Sequence, residues 1–195
     1  EVETHVDKQG FFTTEHLILS RRGKGERVSL FISKPTRKWA GKRSKVASST
    51  AVYTLIVVPD AAGVSPERAA KLLDLLDKEG HTVAFLICFK GRKSAAEAAE
   101  VGFYTTYNRT DAAHRVQDIL TAISYLKHQA GGGRLNVIGQ GEAGLWTLLA
   151  RGLAPQVDRM VVDAGQFDNT NDEAFLKQLP VPGLRRAGAF TTAVT

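Results

Sequence analysis

Residues 134–149, Arg-Leu-Asn-Val-Ile-Gly-Gln-Gly-Glu-Ala-Gly-Leu-Trp-Thr-Leu-Leu, limit the possible folds of this chain more than any other stretch. A short apolar run, a turn made of glycines and a run with Leu145, Leu148 and Leu149 on one helical face predict a buried strand, a tight turn and a helix. In α/β proteins that unit often carries the chemistry, because ligands settle beyond the carboxyl ends of parallel strands. Two patterns of small residues overlap here. Gly139, Gly141 and Gly144 fit G-x-G-x-x-G, and Asp163 follows near the about 20-residue distance at which a carboxylate meets a ribose hydroxyl. Gly139, Gly141 and Ala143 instead fit G-x-S-x-G, the strained turn that presents a nucleophilic serine, with Gly141 in the serine's place. The first pattern is complete and the second lacks its nucleophile, so the flanking elements must decide between them.

Those flanks alternate between strand and helix. Leu17, Leu19, Val28, Leu30 and Ile32 alternate with other residues around Gly23 and Gly25, predicting an antiparallel hairpin of strands 16–20 and 27–33. Residues 51–58 form a nearly continuous β-branched run, as in a strand covered on both faces, and Pro59, Asp60 and Gly63 end it. Ser65 and Pro66 open a helix with Ala69, Leu72, Leu73 and Leu76 on one face, closed by Gly80. Residues 81–89 give the next strand, and a longer helix from Asp111 places Val116, Ile119, Leu120, Ile123 and Leu126 together until glycines 131–133. After strand 134–138, its turn and its helix, residues 157–163 supply one more strand. The expected fold is α/β: a mostly parallel sheet with an antiparallel N-terminal hairpin, in three αβα layers.

At 195 residues and 43% hydrophobic content, one domain over 1–195 is expected, with a core at about 15–170, a basic loop at 34–49 and an irregular tail at 168–195. No run approaches the roughly 18 apolar residues of a membrane span and no signal-peptide pattern opens the chain, so no membrane association is expected. The single Cys88, inside the apolar run 83–89, reads as a packed core thiol. The net charge of +6 is concentrated in residues 1–50, with eleven Lys and Arg against five Asp and Glu. Lys34, Arg37, Lys38, Lys42, Arg43 and Lys45 are interrupted by only one aromatic residue, Trp39. Nucleic-acid binding favours stacking aromatics among the cations or a recognition helix, so a solvated loop is expected and no nucleic-acid partner.

The order of a lead-in hairpin followed by β-α-β-α-β-α-β, with Gly80-His81-Thr82-Val83-Ala84-Phe85-Leu86-Ile87 and Gly91-Arg92-Lys93-Ser94, resembles the α/β-hydrolases up to their sixth strand. The chain is similar to their bacterial acetyl-xylan-esterase-like and prolyl-oligopeptidase-like branches over about residues 15–170. The resemblance places residues 51–63 at the third strand and its oxyanion loop, with Pro59-Asp60 where the family usually has His-Gly. It also implies an extracytoplasmic location and a carbohydrate or ester ligand. The dinucleotide pattern fits the flanks less well. A Rossmann domain normally opens with its fingerprint strand and continues for several strands, whereas here two βα units precede it and one strand follows. An NAD(P)-binding subunit using Gly139, Gly141, Gly144 and Asp163 is therefore the third choice, and no cofactor is expected.

On the hydrolase reading Gly141 has no oxygen to attack a carbonyl, and losing the serine of such a triad costs on the order of a millionfold in turnover. The strands that carry the family's usual acid and histidine are not evident after residue 163. Asp163 is the one candidate acid, although an Asp at a strand end more often closes a turn. Ser65 reads as a helix cap and Ser94 as a loop hydroxyl. His5, His16, His81, His114 and His128 include no i, i+4 zinc pair, so no metal is expected. The binding positions that remain are Asp60 and Ala61 in the oxyanion loop and Gln140, Glu142 and Ala143 around the turn. The expectation is a catalytically degenerate hydrolase-like domain with a binding or structural role in a larger protein or complex. The alternative is an active serine-type carboxylic or acetyl-xylan esterase whose missing residues lie outside this chain. A strand at 157–162 ending the sheet would expose an apolar edge, so the remainder of a longer polypeptide or a partner subunit is expected to cover it.

Overall fold

A computed structural model of the chain describes residues 2–9, 12–21, 23, 27–35, 51–59, 71–76, 79–88 and 109–194. Strands β1 (Val2–Gln9), β2 (Phe12–Ser20), β3 (Arg27–Pro35), β4 (Val52–Val58), β5 (His81–Ile87), β6 (Arg134–Gln140) and β7 (Arg159–Asp163) form one sheet in the order β1-β2-β3-β5-β4-β6-β7. The first three strands pair antiparallel and β3 meets β5 antiparallel, while β5, β4, β6 and β7 are parallel. The hairpin read from the sequence is thus β2–β3, and β1 adds a further strand, Val2 opposite Leu19 and Gln9 opposite Phe12. Its sequence, VETHVDKQ, carries too few apolar residues to signal a strand by periodicity.

The helices are α1 (Asp111–Ala130), α2 (Glu142–Arg151), α3 (Asp172–Gln178) and α4 (Ala189–Val194); residues 71–76 are also helical. Thr110 caps α1, its side chain accepting from Ala113 N at 3.3 Å, and Gly131 ends the helix with φ 55°. Left-handed backbone at that place costs glycine nothing and lets the last carbonyls be satisfied.

Alternation along the central strands divides the core into two layers. Leu55, Val57, Ala84, Leu86, Leu135 and Val137 face α1 and α2, where Ile119, Ile123, Leu126, Leu145 and Trp146 are fully buried against them. Ile56, Val58 and Val83 face the opposite side and pack with Leu72, Leu73 and Leu76 of the helical segment 71–76. The expected three layers follow from this. Covering on both faces is also why β4 reads as a continuous apolar run. Cys88 is buried in the first layer, as a core thiol should be.

The tail is more ordered than its punctuation suggests. Asn171 caps α3 by accepting from Ala174 N at 3.0 Å, and Phe175 and Leu179, one helical turn apart, are buried in the layer that holds α1 and α2. Phe167, Phe175 and Phe190 meet with ring centroids 5.9–6.3 Å apart. The short helical pattern from Asp172 to Lys177, the one regular element expected in the irregular tail at 168–195, is α3, and the structure adds α4 in the part expected to be irregular. Among the described residues β7 has β6 as its one neighbour in the sheet, and Val161, on one face of the strand, is 63% exposed.

Candidate functional site: the turn after β6

β4 lies between β5 and β6, so the chain passes from β4 to one side of the sheet and then returns to the other, and a crevice is expected at the carboxyl ends of β4 and β6. The turn at Gly141 stands at the carboxyl end of β6. Gly141 has φ 59° and ψ −132°, outside the regions open to L-residues without strain. A Cβ built on it meets nothing among the described residues within 4 Å, so backbone conformation and not crowding by them accounts for its glycine. That is the environment a nucleophile elbow provides: a strained residue whose side chain would project into open space.

The other two glycines have a different cause. A Cβ on Gly139 would lie 2.6 Å from Thr147 Oγ1 and 2.9 Å from the Gly144 Cα, and a Cβ on Gly144 would strike the carbonyl oxygen of Asp163. Both keep α2 pressed against β6 and β7. Ala143, the last small residue of the G-x-S-x-G pattern, is fully buried, and Thr147 closes the contact by donating to Ala143 O at 2.7 Å.

Among the sequence-predicted site residues, the structure brings together Gln140, Gly141, Glu142, Ala143, Gly144 and Asp163. Gln140 is opposite Asp163 in the β6–β7 register. Glu142 is exposed at the first turn of α2, where a negative charge complements the helix dipole. The N–H groups of Glu142 and Ala143 belong to the first turn, which lacks intrahelical acceptors, and so remain the donors nearest the elbow. The Asp163 carboxylate is turned into its own loop, Oδ1 accepting from Gly165 N at 3.0 Å. Sequence reasoning missed what that loop does. Gly165 (φ 59°) and Gln166 (φ 63°) are both left-handed, and a Cβ on Gly165 would be 3.6 Å from the Gly141 Cα. The turn after β7 thus lies against the elbow; Ala164-Gly165 is the faint signal for it.

Asp60, Ala61, Ser65 and Ser94 lie outside the described residues, as does most of the basic loop at 34–49. The histidines are dispersed. His16 is on β2, stacked on Phe31 with ring centroids 4.3 Å apart, and His114 and His128 are on α1. His81 begins β5, its Nδ1 2.8 Å from Thr54 Oγ1, and desolvation by burial lowers its pKa below the usual imidazole value, against the raising influence of Glu79. That end of β5 is opposite the strand ends that carry the elbow. Among the described residues no group of three His, Cys, Asp or Glu is placed to hold a metal ion. No helix among them is long and apolar enough to cross a membrane.

No family model and no curated protein matches the sequence significantly. Solved structures do match in shape. A cold-adapted esterase from an Arctic intertidal metagenomic library, in complex with polyethylene glycol, superposes with a TM-score of 0.58 at 10% identity, covering 90% of this chain and 70% of that one. A thermostable carboxyl esterase from Bacillus coagulans, in complex with glycerol, superposes with a TM-score of 0.54 at 13% identity, covering 90% of this chain and 51% of that one. Against Est1E from Butyrivibrio proteoclasticus the chain spans 48% of the other's length, so it corresponds to between about half and about seven-tenths of these proteins. The strand order, the positive-φ turn after β6 and these superpositions together give the chain the α/β-hydrolase fold.

Proposed function

We propose that this chain is a catalytically silent α/β-hydrolase-fold domain with a binding or structural role inside a larger protein or complex. The observation that carries the reading is Gly141: the turn has a φ of 59° and ψ of −132°, which an L-residue would enter only under strain, while the residue at its apex has no side chain. Glycine enters this conformation without strain, and the packing around the turn fixes it there. Here Gly139, Gly144 and the β7 turn supply that packing. The turn therefore survives as architecture after the nucleophile is gone, and the first-turn N–H groups of α2 stay available to an anionic or carbonyl oxygen.

The edge position of β7 suits the second half of the proposal. Among the described residues β7 has β6 as its one sheet neighbour, and an edge of that kind favours pairing with a later strand of a longer polypeptide or with a partner subunit. Because the superposed structures are esterases, an ester, including a carbohydrate ester, is the ligand class to try first at the crevice. An active esterase completed by residues outside this chain is the competing reading, favoured by the chain's spanning 51% and 70% of those two proteins. It would need a nucleophile other than residue 141. Incubation with a fluorophosphonate probe followed by intact-mass measurement tests the silence of this chain. No adduct above that of a heat-denatured control is expected, and stoichiometric labelling mapped to a serine of this chain would overturn the proposal.

A further inference from the structure

Two residues other than glycine have a positive φ among the described residues, Gln166 at 63° and Ala189 at 44°, and they bracket the segment 167–188. Left-handed backbone is costly for a residue with a side chain and persists only where the surroundings impose it, so release of the segment relaxes both brackets. Few side chains hold the segment down. Phe175 and Leu179 are its two buried residues, and both pack in the layer with α1 and α2. Further on, Val181 and Leu184 line a pocket of about 530 Å3 together with Val116 and Leu120 of α1 and Leu149 of α2. That half is seated over space, which forgoes the dispersion contacts of close packing.

One side chain ties the two halves of the segment together. Arg185 Nη2 donates to Asn169 O at 2.8 Å and pairs with Asp172 Oδ1 at 3.0 Å, and its guanidinium lies 4.3 Å from the centroid of the Phe175 ring. Backbone hydrogen bonds order each half from within, Leu179 N donating to Phe175 O at 2.8 Å and Ala187 N to Gly183 O at 3.0 Å. We propose that residues 167–188 are a detachable strap, latched by Arg185, that opens as one unit while the sheet, α1 and α2 stay folded, and that its opening bares the apolar sides of α1 and α2. The strained brackets favour release, the two buried side chains oppose it, and Arg185 makes the halves leave together. Once off the body the strap loses its order, because a helix of seven residues is not stable alone in water. Neither the latch nor the brackets include residue 141, so the strap holds or fails independently of the catalytic silence.

Native-state hydrogen exchange on the whole chain tests the strap, because opening frees the amides of Phe175, Leu179 and Ala187 while those of Ile119 and Ile123 in α1 stay bonded. The three strap amides are expected to share one protection factor, on the order of a thousandfold for two buried apolar side chains and at least about tenfold below that of the α1 pair. R185M keeps an unbranched apolar stem and removes the charge, and should lower protection at Phe175 and Leu179 about tenfold although both lie in the other half of the strap. Q166G should raise strap protection about threefold, since glycine takes the bracket's φ without strain, and this stabilising variant carries the test if R185M fails to fold. Protection at Phe175 equal to that at Ile119, separate protection factors for Phe175 and Ala187, or indifference to either substitution in a folded variant would overturn the strap.

Discussion

At its first residues β6 is held by charge, and at its last by the absence of side chains. Asp158, just before β7, accepts from Leu135 N at 2.8 Å and from Lys127 Nζ at 3.1 Å, and Lys127 also donates to Gly133 O at 3.0 Å. The end of α1 and the starts of β6 and β7 are fastened by this one carboxylate. At the other end Gly139 and Gly144 admit α2 to within backbone contact of β6 and β7, and Gly141 turns the chain through a conformation that other residues enter only under strain. The amino end is polar, local and replaceable. The carboxyl end depends on three glycines serving two purposes, packing at 139 and 144 and conformation at 141.

The contrast breaks most visibly at the packing glycines. Valine at Gly144 would drive Cβ into the Asp163 carbonyl, a backbone atom with no rotamer to escape to, and G144V should lose about 3 kcal/mol in urea unfolding. Serine at Gly141 meets no neighbour among the described residues and has the positive φ to bear, so G141S should lose about 1–2 kcal/mol. A G141S penalty equal to that of G144V would mean that the elbow is crowded and that the division of roles among the glycines is wrong.

The charged end sharpens the comparison through pH. D158A orphans the Leu135 N–H and should cost about 1 kcal/mol at neutral pH, the smallest of these effects. The hydrogen bond from Leu135, then that from Lys127, lower the Asp158 pKa from its usual 3.8. A carboxylate with a depressed folded pKa contributes stability that is fully present above its unfolded value and is lost as pH falls through the folded one. The stability gap between the native chain and D158A, followed by thermal unfolding, should therefore hold at neutral pH and shrink below 3.8. A gap that widens on acidification would contradict the ion-pairing role.

Much of this was legible in the residues. The β-branched run at 51–58, the helix from Asp111 and the strand–turn–helix at 134–149 carry strong periodicity because their faces are buried, and the structure has each of them. The three glycines of the turn were also legible, but not the division between them: sequence patterns show that a position is small, while only coordinates show whether a wall or a dihedral makes it so. β1 escaped notice because a polar edge strand needs no apolar alternation, and α4 because six residues are too few for a helical period. The contact of Gly165 with Gly141 joins residues distant in the chain and leaves no local trace.

Catalytic silence at the elbow is tested most directly by steady-state hydrolysis of p-nitrophenyl acetate, comparing the chain with G141S. Both should turn over at the background rate of the buffer, since the native residue has no nucleophile and His16, His81, His114 and His128 are spread over β2, β5 and α1, away in sequence from the turn. Saturable hydrolysis by the native chain, abolished by a serine-directed phosphonate, would contradict catalytic silence; efficient hydrolysis by G141S alone would show that a base still serves the elbow.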